Sequence, residues 1–302
     1  MGSVVRAARL WSEMIKLSHS VFALPFAIMA VFLAGRGIEG VHHPRGGQIA
    51  LVLLCMVAAR SVAMTFNRIV DTAIDARNPR TAGRPLPAGR LSVGAAWIFL
   101  FTAAAVFAAG CFAFYFAFGN RWPMLLGGPV LVYLCGYSYS KRFTRWTHFY
   151  LGSAIAISPI AAWLAIHPQS VGWTAVLLSA AVALWIAGFD IIYACQDIEA
   201  DRRDGLFSIP ARMGPGRALL IARLCHGIVI LILIGLAPMA GLGWVYLSGV
   251  AVVTVLLLVE NSLIRADDFS RVNLAFFTIN GIVSVVLGVL TVADILLTGP
   301  DV

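Results

Sequence analysis

The sequence predicts an all-α integral membrane protein, and three observations carry that prediction. The 302 residues are 60% hydrophobic and only 12% charged, against about 25% charged in an ordinary soluble domain. Apolar stretches of about 20 residues, the length a helix needs to cross a bilayer, recur along the whole chain. Basic residues fall almost entirely in every second connection between those stretches, the asymmetry that marks cytoplasmic loops.

The first fifteen residues hold Arg6, Arg9 and Trp11 ahead of an apolar run, as a secretory signal would. No small-residue cleavage site followed by a polar domain comes next, so residues 1–16 read as an interfacial helix leading into a retained first span. Nine spans are expected near residues 18–35, 48–71, 92–115, 123–140, 149–167, 171–194, 218–238, 242–260 and 273–297. The N-terminus and the loops after spans 2, 4, 6 and 8 hold Arg6, Arg9, Lys16, Arg68, Arg77, Arg80, Arg84, Arg90, Lys141, Arg142, Arg145, Arg202, Arg203, Arg212, Arg217, Arg223, Arg265 and Arg271. The opposite side holds only Arg36, Arg45 and Arg121. The expectation is a multi-pass protein of the inner (cytoplasmic) membrane, one domain over residues 1–302, with its N-terminus in the cytoplasm and its C-terminus outside.

Five cysteines, Cys55, Cys111, Cys135, Cys195 and Cys225, sit in apolar segments without CxxC spacing, which argues against structural disulfides and a zinc site. The net charge of +8 fits a membrane surface and a phosphorylated substrate rather than nucleic acid, because the cations gather on one side of the membrane.

Half of the fourteen acids gather there too: Asp71, Asp75, Asp190, Asp197, Glu199, Asp201 and Asp204. Carboxylates at membrane depth are costly and usually functional. Asn67, Asp71 and Asp75 recur every four residues, which on a helix stacks three oxygen-bearing side chains on one face, about 6 Å apart along the axis. A second acidic helix end carries Asp190, Tyr193, Asp197 and Asp201. Asp75 is followed by Arg77, Arg80, Gly83-Arg84-Pro85 and Pro87-Ala88-Gly89, and Asp201 by Arg202-Arg203, Gly205, Pro210-Ala211-Arg212 and Gly214-Pro215-Gly216. Both read helix end, acid, base, Gly/Pro loop, next span: a weak repeat whose loops, after spans 2 and 6, are expected to cap one shared site from the cytoplasm.

Acids flanked by arginines suit a Mg²⁺-diphosphate, because Mg²⁺ bridges carboxylates to phosphate oxygens and guanidinium groups neutralise the remaining charge. In so apolar a protein the group carrying the diphosphate is expected to be apolar as well, which points to an isoprenyl diphosphate. Arg60 lies about two turns before Asn67 on approximately the same face. A buried arginine there needs a partner, either an anionic substrate or a structural one.

At these residues the chain resembles the UbiA superfamily of intramembrane prenyltransferases. The resemblance rests on Asn67-x-x-x-Asp71-x-x-x-Asp75, on Arg80-Thr81-x-Gly83-Arg84-Pro85-Leu86-Pro87-x-Gly89 and on Tyr193-Ala194-x-Gln196-Asp197-x-x-x-Asp201, and it covers essentially the whole chain. It implies a nine-helix bundle around a central cavity, and two Mg²⁺ ions. Asn67, Asp71 and Asp75 would hold one ion and Asp197 with Asp201 the other. Arg68, Arg84, Lys141 and Arg142 are candidate diphosphate contacts, although Arg68 is expected to point about 100° away from the ligand column. Tyr193 stands where some members carry an acid; Asp190, one turn earlier, is placed to substitute for it or to orient the aromatic substrate. Ser18-His19-Ser20, followed by Val21-Phe22-Ala23-Leu24-Pro25, looks like the 4-hydroxybenzoate or futalosine-pathway menaquinone branch, with His19 at an aryl hydroxyl or carboxylate.

The resemblance therefore implies transfer of a polyprenyl group from its diphosphate to a 4-hydroxybenzoate-like acceptor in respiratory-quinone synthesis, or the same chemistry on 1,4-dihydroxy-6-naphthoate. A CDP-alcohol phosphotransferase would carry a compact aspartate signature that is absent. A transporter or lipid-binding scaffold would not require two carboxylate columns. Prenyl length and oligomeric state are not written in one sequence.

Overall fold

The computed structural model describes residues 10–16, 22–36 and 44–298, and the structure is helical throughout. The expectations placed on Arg6, Arg9 and His19 lie outside the described residues. Two compact units divide the chain, Met1–Ser20 with Leu53–Tyr139, and Val21–Val52 with Ser140–Val302.

Among the described residues seven helices are long and apolar enough to cross a membrane: Gly46–Val70, Val93–Phe118, Thr147–Ile166, Trp173–Arg203, Pro215–Met239, Trp244–Leu263 and Leu274–Thr298. The nine expected spans are thus met at seven places. At the other two, Leu24–Gly35 is only 12 residues long, about 18 Å of helix, and Trp122–Ser140 is diluted by Tyr133, Tyr137, Tyr139, Ser138, Ser140 and Pro129. Outward-facing side chains reverse the rule for soluble proteins: Ile98, Phe101, Phe116, Val132, Trp173 and Trp244 are all exposed. Hydrocarbon, not water, suits such a surface. The chain is a multi-pass membrane protein.

In the first unit, Val62, Leu100 and Ala103 pack with Phe66, Trp97 and Leu131. Gly110 sets the helix spacing, since a Cβ there would lie 2.6 Å from the Cys55 Sγ. Ser92 opens the Val93–Phe118 helix by accepting the Ala95 N–H, and Gly119 closes it at φ 67°, a left-handed cap that glycine adopts without steric cost. Residues 10–15 are helical, and they pack inward rather than merely lying at an interface: Met14 is buried against Leu86 and Ala96, and Trp11 stacks on Phe99. This segment thereby braces the loop that follows the first aspartate row.

In the second unit the Thr147–Ile166 and Trp173–Ala194 helices touch backbone to backbone, because a Cβ on Gly152 would stand 2.1 Å from the Ala183 carbonyl oxygen. Small residues permit such approach where no water is available to drive association. Asp294 caps the Trp244–Leu263 helix from a distance, accepting the Gly243 and Tyr246 N–H groups at 2.7 and 3.2 Å. Asn280, just past the π-helical turn Leu274–Ile279, donates to Glu260 at 2.7 Å and accepts from the Trp185 indole at 2.8 Å. Trp185, Phe189, Phe276 and Tyr193 form a continuous aromatic cluster beside it.

Candidate active site

The first row begins inside the Gly46–Val70 helix and continues past its end. Asp71 breaks the regular helix at φ −94° and ψ 5° and then starts the short Thr72–Arg77 helix. The break is shallow, since the Asp71 N–H still reaches the Asn67 carbonyl at 2.9 Å and the Asp75 N–H the Asp71 carbonyl at 2.7 Å. The four-residue spacing therefore survives. The Asn67 side-chain amide donates to Asp71 Oδ2 at 2.8 Å.

Asp75 behaves differently from a simple third member of a column. Its buried carboxylate receives Arg84 Nη1 at 2.7 Å on both oxygens, and Arg68 Nη1 lies 3.8 Å away. Thr81, in the following loop, donates its hydroxyl to the Asp75 carbonyl at 2.9 Å. A buried carboxylate needs a counter-charge, and the loop folds back to bring one. Arg68 turns toward this row although its sequence position aims it elsewhere; it is buried, and its Nε finds no hydrogen-bond partner among the described residues. Arg60 donates to the Lys16 carbonyl at 3.2 Å, and its Nε is likewise without a partner among the described residues.

Sequence reasoning overlooked Lys16, which it counted only as a cytoplasmic charge. Its field is set by Arg68, Arg84, Arg80 and Asp75. Burial first, and then those three arginines, lower its pKa from 10.5 to about 8, while Asp75 opposes the shift. The Arg68 guanidinium lies in the field of the same group of charges, Arg84, Asp75, Asp71 and Arg80. Lys16, Arg68, Arg80 and Arg84 thus outnumber the carboxylates Asp71 and Asp75 by two charges, a surplus that suits an anion. No sequence signal places Lys16 there; its position depends on how residues 10–16 pack.

The second row repeats the local geometry of the first. Regular helix ends at Ala194, a 3₁₀ turn covers Cys195–Asp197, and Asp197 at φ −104° and ψ 6° opens the six-residue helix Ile198–Arg203. Asp71 and Asp197 therefore hold the same sparsely populated backbone conformation, one in which active-site residues are often found. Asp201, like Asp75, is buried and faced by a cation, Lys141 Nζ at 3.5 Å from Oδ2. Its Oδ2 has no hydrogen-bond donor among the described residues. Arg142 is exposed. Tyr193 stacks on Phe276 with ring centroids 4.2 Å apart, and Asp190 is held by His148, whose Nδ1 is 2.7 Å from Oδ2. His148 was also missed, because a lone histidine near a helix start carries no signal until its partners are known.

Among the described residues no three His, Cys, Asp or Glu side chains converge as a metal centre. The expected ligand columns instead keep their last acids, Asp75 and Asp201, on Arg84 and Lys141. The residues nonetheless fit Mg²⁺: the donors are hard amide and carboxylate oxygens, and Asp201 Oδ2 is a buried anionic oxygen with an unused hydrogen-bond valence.

Three comparisons bear on this arrangement. The 4-hydroxybenzoate octaprenyltransferase of Nitrosococcus oceani is 30% identical over 271 residues, covering 86% of this chain and 87% of that protein. The apo structure of a UbiA homolog from Aeropyrum pernix K1 superposes with a TM-score of 0.76 at 27% identity, over 93% of this chain and 98% of that one. A UbiA homolog from Archaeoglobus fulgidus, solved with GPP and Mg²⁺ bound, gives a TM-score of 0.66 at 20% identity, over 95% of this chain and 99% of that one, and shares the fold. With the UbiA prenyltransferase family matched over residues 23–282, across both aspartate rows and their loops, the chain belongs to that family.

Proposed function

We propose that this UbiA-family prenyltransferase transfers a polyprenyl group from an isoprenyl diphosphate to a 4-hydroxybenzoate-like acceptor in respiratory-quinone synthesis, with Mg²⁺ as its cofactor. One observation carries the reading: Asp71 and Asp197 share one backbone conformation at the end of a long apolar helix, and each is followed four residues later by a buried aspartate facing a cation. Relatives of this chain that carry the name 4-hydroxybenzoate octaprenyltransferase support the acceptor class.

Asn67, Asp71 and Asp75 are assigned to one Mg²⁺ ion, and Asp197 and Asp201 to a second. Bound there, Mg²⁺ supplies positive charge to the departing diphosphate oxygens. Lys16, Arg68, Arg84, Lys141 and Arg142 hold the remaining phosphate charge. Arg84 has an alternative anion in the substrate, so substrate entry can release one of its contacts with Asp75. As the bond between the allylic carbon and the diphosphate oxygen breaks, these cations stabilise the leaving anion. The acceptor ring carbon forms the new bond and loses its proton, restoring aromaticity. Arg60, whose Nε has no partner among the described residues, takes the acceptor carboxylate; Tyr193, Asp190 and His19 position the rest of the ring. The loops after Asp75 and Asp201 exclude water, which would otherwise capture the allylic group as prenol.

Leu24–Gly35 and Trp122–Ser140 complete nine spans, and residues 1–302 work as one catalytic domain. The arginine-rich loops place the active site and N-terminus on the cytoplasmic side of the inner membrane, and the C-terminus outside.

Purified protein incubated with geranyl diphosphate, Mg²⁺ and either 4-hydroxybenzoate or 1,4-dihydroxy-6-naphthoate is expected to yield a prenylated 4-hydroxybenzoate by mass spectrometry. Asp71→Asn and Asp197→Asn should each lower kcat by about 10³-fold, the order expected on loss of a group that stabilises developing charge, with little change in Tm. Product only from the naphthoate would reassign the acceptor. Absence of product from every phenolic acid would reject aromatic prenyl transfer.

A further inference from the structure

We propose that His148 is a positioning residue: one buried imidazole, fixed in a single tautomer, that ties Asp190 to the loop returning onto the second aspartate row. The ring is fully buried at the start of the Thr147–Ile166 helix. Its Nδ1 lies 2.7 Å from Asp190 Oδ2, and its Nε2 lies 3.3 Å from the Ile209 backbone nitrogen. A backbone N–H can only donate, so Nε2 must present its lone pair. Nδ1 therefore carries the proton and donates it to Asp190.

The loop has further anchors, and two of them end on Asp201 and Lys141 of the proposed metal and diphosphate site. The Leu206 N–H donates to the Asp201 carbonyl at 2.8 Å, and the Phe207 N–H to the Lys141 carbonyl at 2.7 Å. Ser208 then caps the short Ile209–Met213 helix, and Arg202 Nε holds the Ala211 carbonyl at 2.9 Å. Gly205, at φ 69°, allows the chain to turn back. His148 takes the N–H of Ile209, next to the cap, while its other nitrogen orients Asp190 four residues before the regular helix ends at Ala194. One ring thus sets both the loop and Asp190. The role of Asp190 at the acceptor and of the loop at the diphosphate rests on the function proposed above.

Two isosteric changes separate the two arms. Asparagine can place its amide N–H near the Nδ1 position, keeping the Asp190 bond and dropping that of Ile209. Glutamine can place its carbonyl near Nε2, keeping Ile209 and dropping Asp190. In the full chain reconstituted in nanodiscs, His148→Asn is expected to raise hydrogen exchange of residues 205–213 and the KM for geranyl diphosphate by about tenfold each, the effect of one lost hydrogen bond. His148→Gln should leave that exchange near wild type and shift the acceptor KM or kcat by about tenfold instead.

Equal effects of both variants on exchange and on both substrates, or no effect of either, would overturn the proposal. Should neither variant fold, ¹⁵N NMR of histidine-labelled wild-type protein decides: the Nδ1–H tautomer supports the link, and the Nε2–H tautomer refutes it. Exchange and tautomer need no turnover. A protein inactive on every acceptor that still shows the exchange difference between the two variants and the Nδ1–H tautomer would lose its proposed function and keep this one.

Discussion

The ammonium of Lys16 sits partly buried among Arg68, Arg80 and Arg84, and burial together with their repulsion brings its pKa to about 8. Below that pH it is charged and, under the proposed function, adds to the attraction for diphosphate; as pH rises through about 8 it loses its proton, and that attraction falls. Bound diphosphate favours the charged form, so the KM for the isoprenyl diphosphate is expected to rise several-fold between about pH 7.5 and 9, the consequence of a titrating lysine so far below its usual 10.5. Lys16→Met should show a raised KM at the lower pH and a flatter profile, as steady-state kinetics across that range will test. The acids of both rows were readable because helical spacing is local. Lys16 and His148 were not, because their meaning comes from Asp75 and Asp190, contacts that no short sequence window contains.

Each aspartate row is a long apolar helix, a short break that ends on an aspartate in a bridge conformation, six helical residues and a glycine-containing loop. The sequence displayed this order as a weak repeat, and the structure gave it a common backbone geometry at Asp71 and Asp197. Rigid supports lie behind each row. Behind the second, Gly152 brings its helix against the Ala183 carbonyl of the Trp173–Ala194 helix. Gly152→Val should force these helices apart, destabilising the protein by about 1–3 kcal/mol, the usual cost of overpacking a core, and should lower the Tm measured in detergent. Apolar runs with glycine and proline in their connections gave these helices at the sequence level. The distance between their axes was hidden, because a glycine reads alike in a loose contact and in a backbone-to-backbone one.

At the scale of the molecule, a surface of exposed Ile98, Phe101, Phe116 and Val132 and seven helices of spanning length and apolarity place most of the protein in lipid. Chelation of divalent ions should abolish prenyl transfer and Mg²⁺ should restore it, without change in far-ultraviolet circular dichroism, since the helices are held by backbone hydrogen bonds and apolar packing. A reporter fused after residue 302 is expected to be active only outside the cytoplasm, as the arginine asymmetry requires; activity inside would invert the topology. By itself the sequence determined the lipid environment, the helix order and the two aspartate rows, because hydropathy and a four-residue period are properties of neighbouring residues. Tertiary structure alone decided that Arg84 seizes Asp75, that Lys16 joins the basic cluster and that His148 grips Asp190. Those partnerships join segments separated along the chain, and only packing brings such side chains within reach of one another.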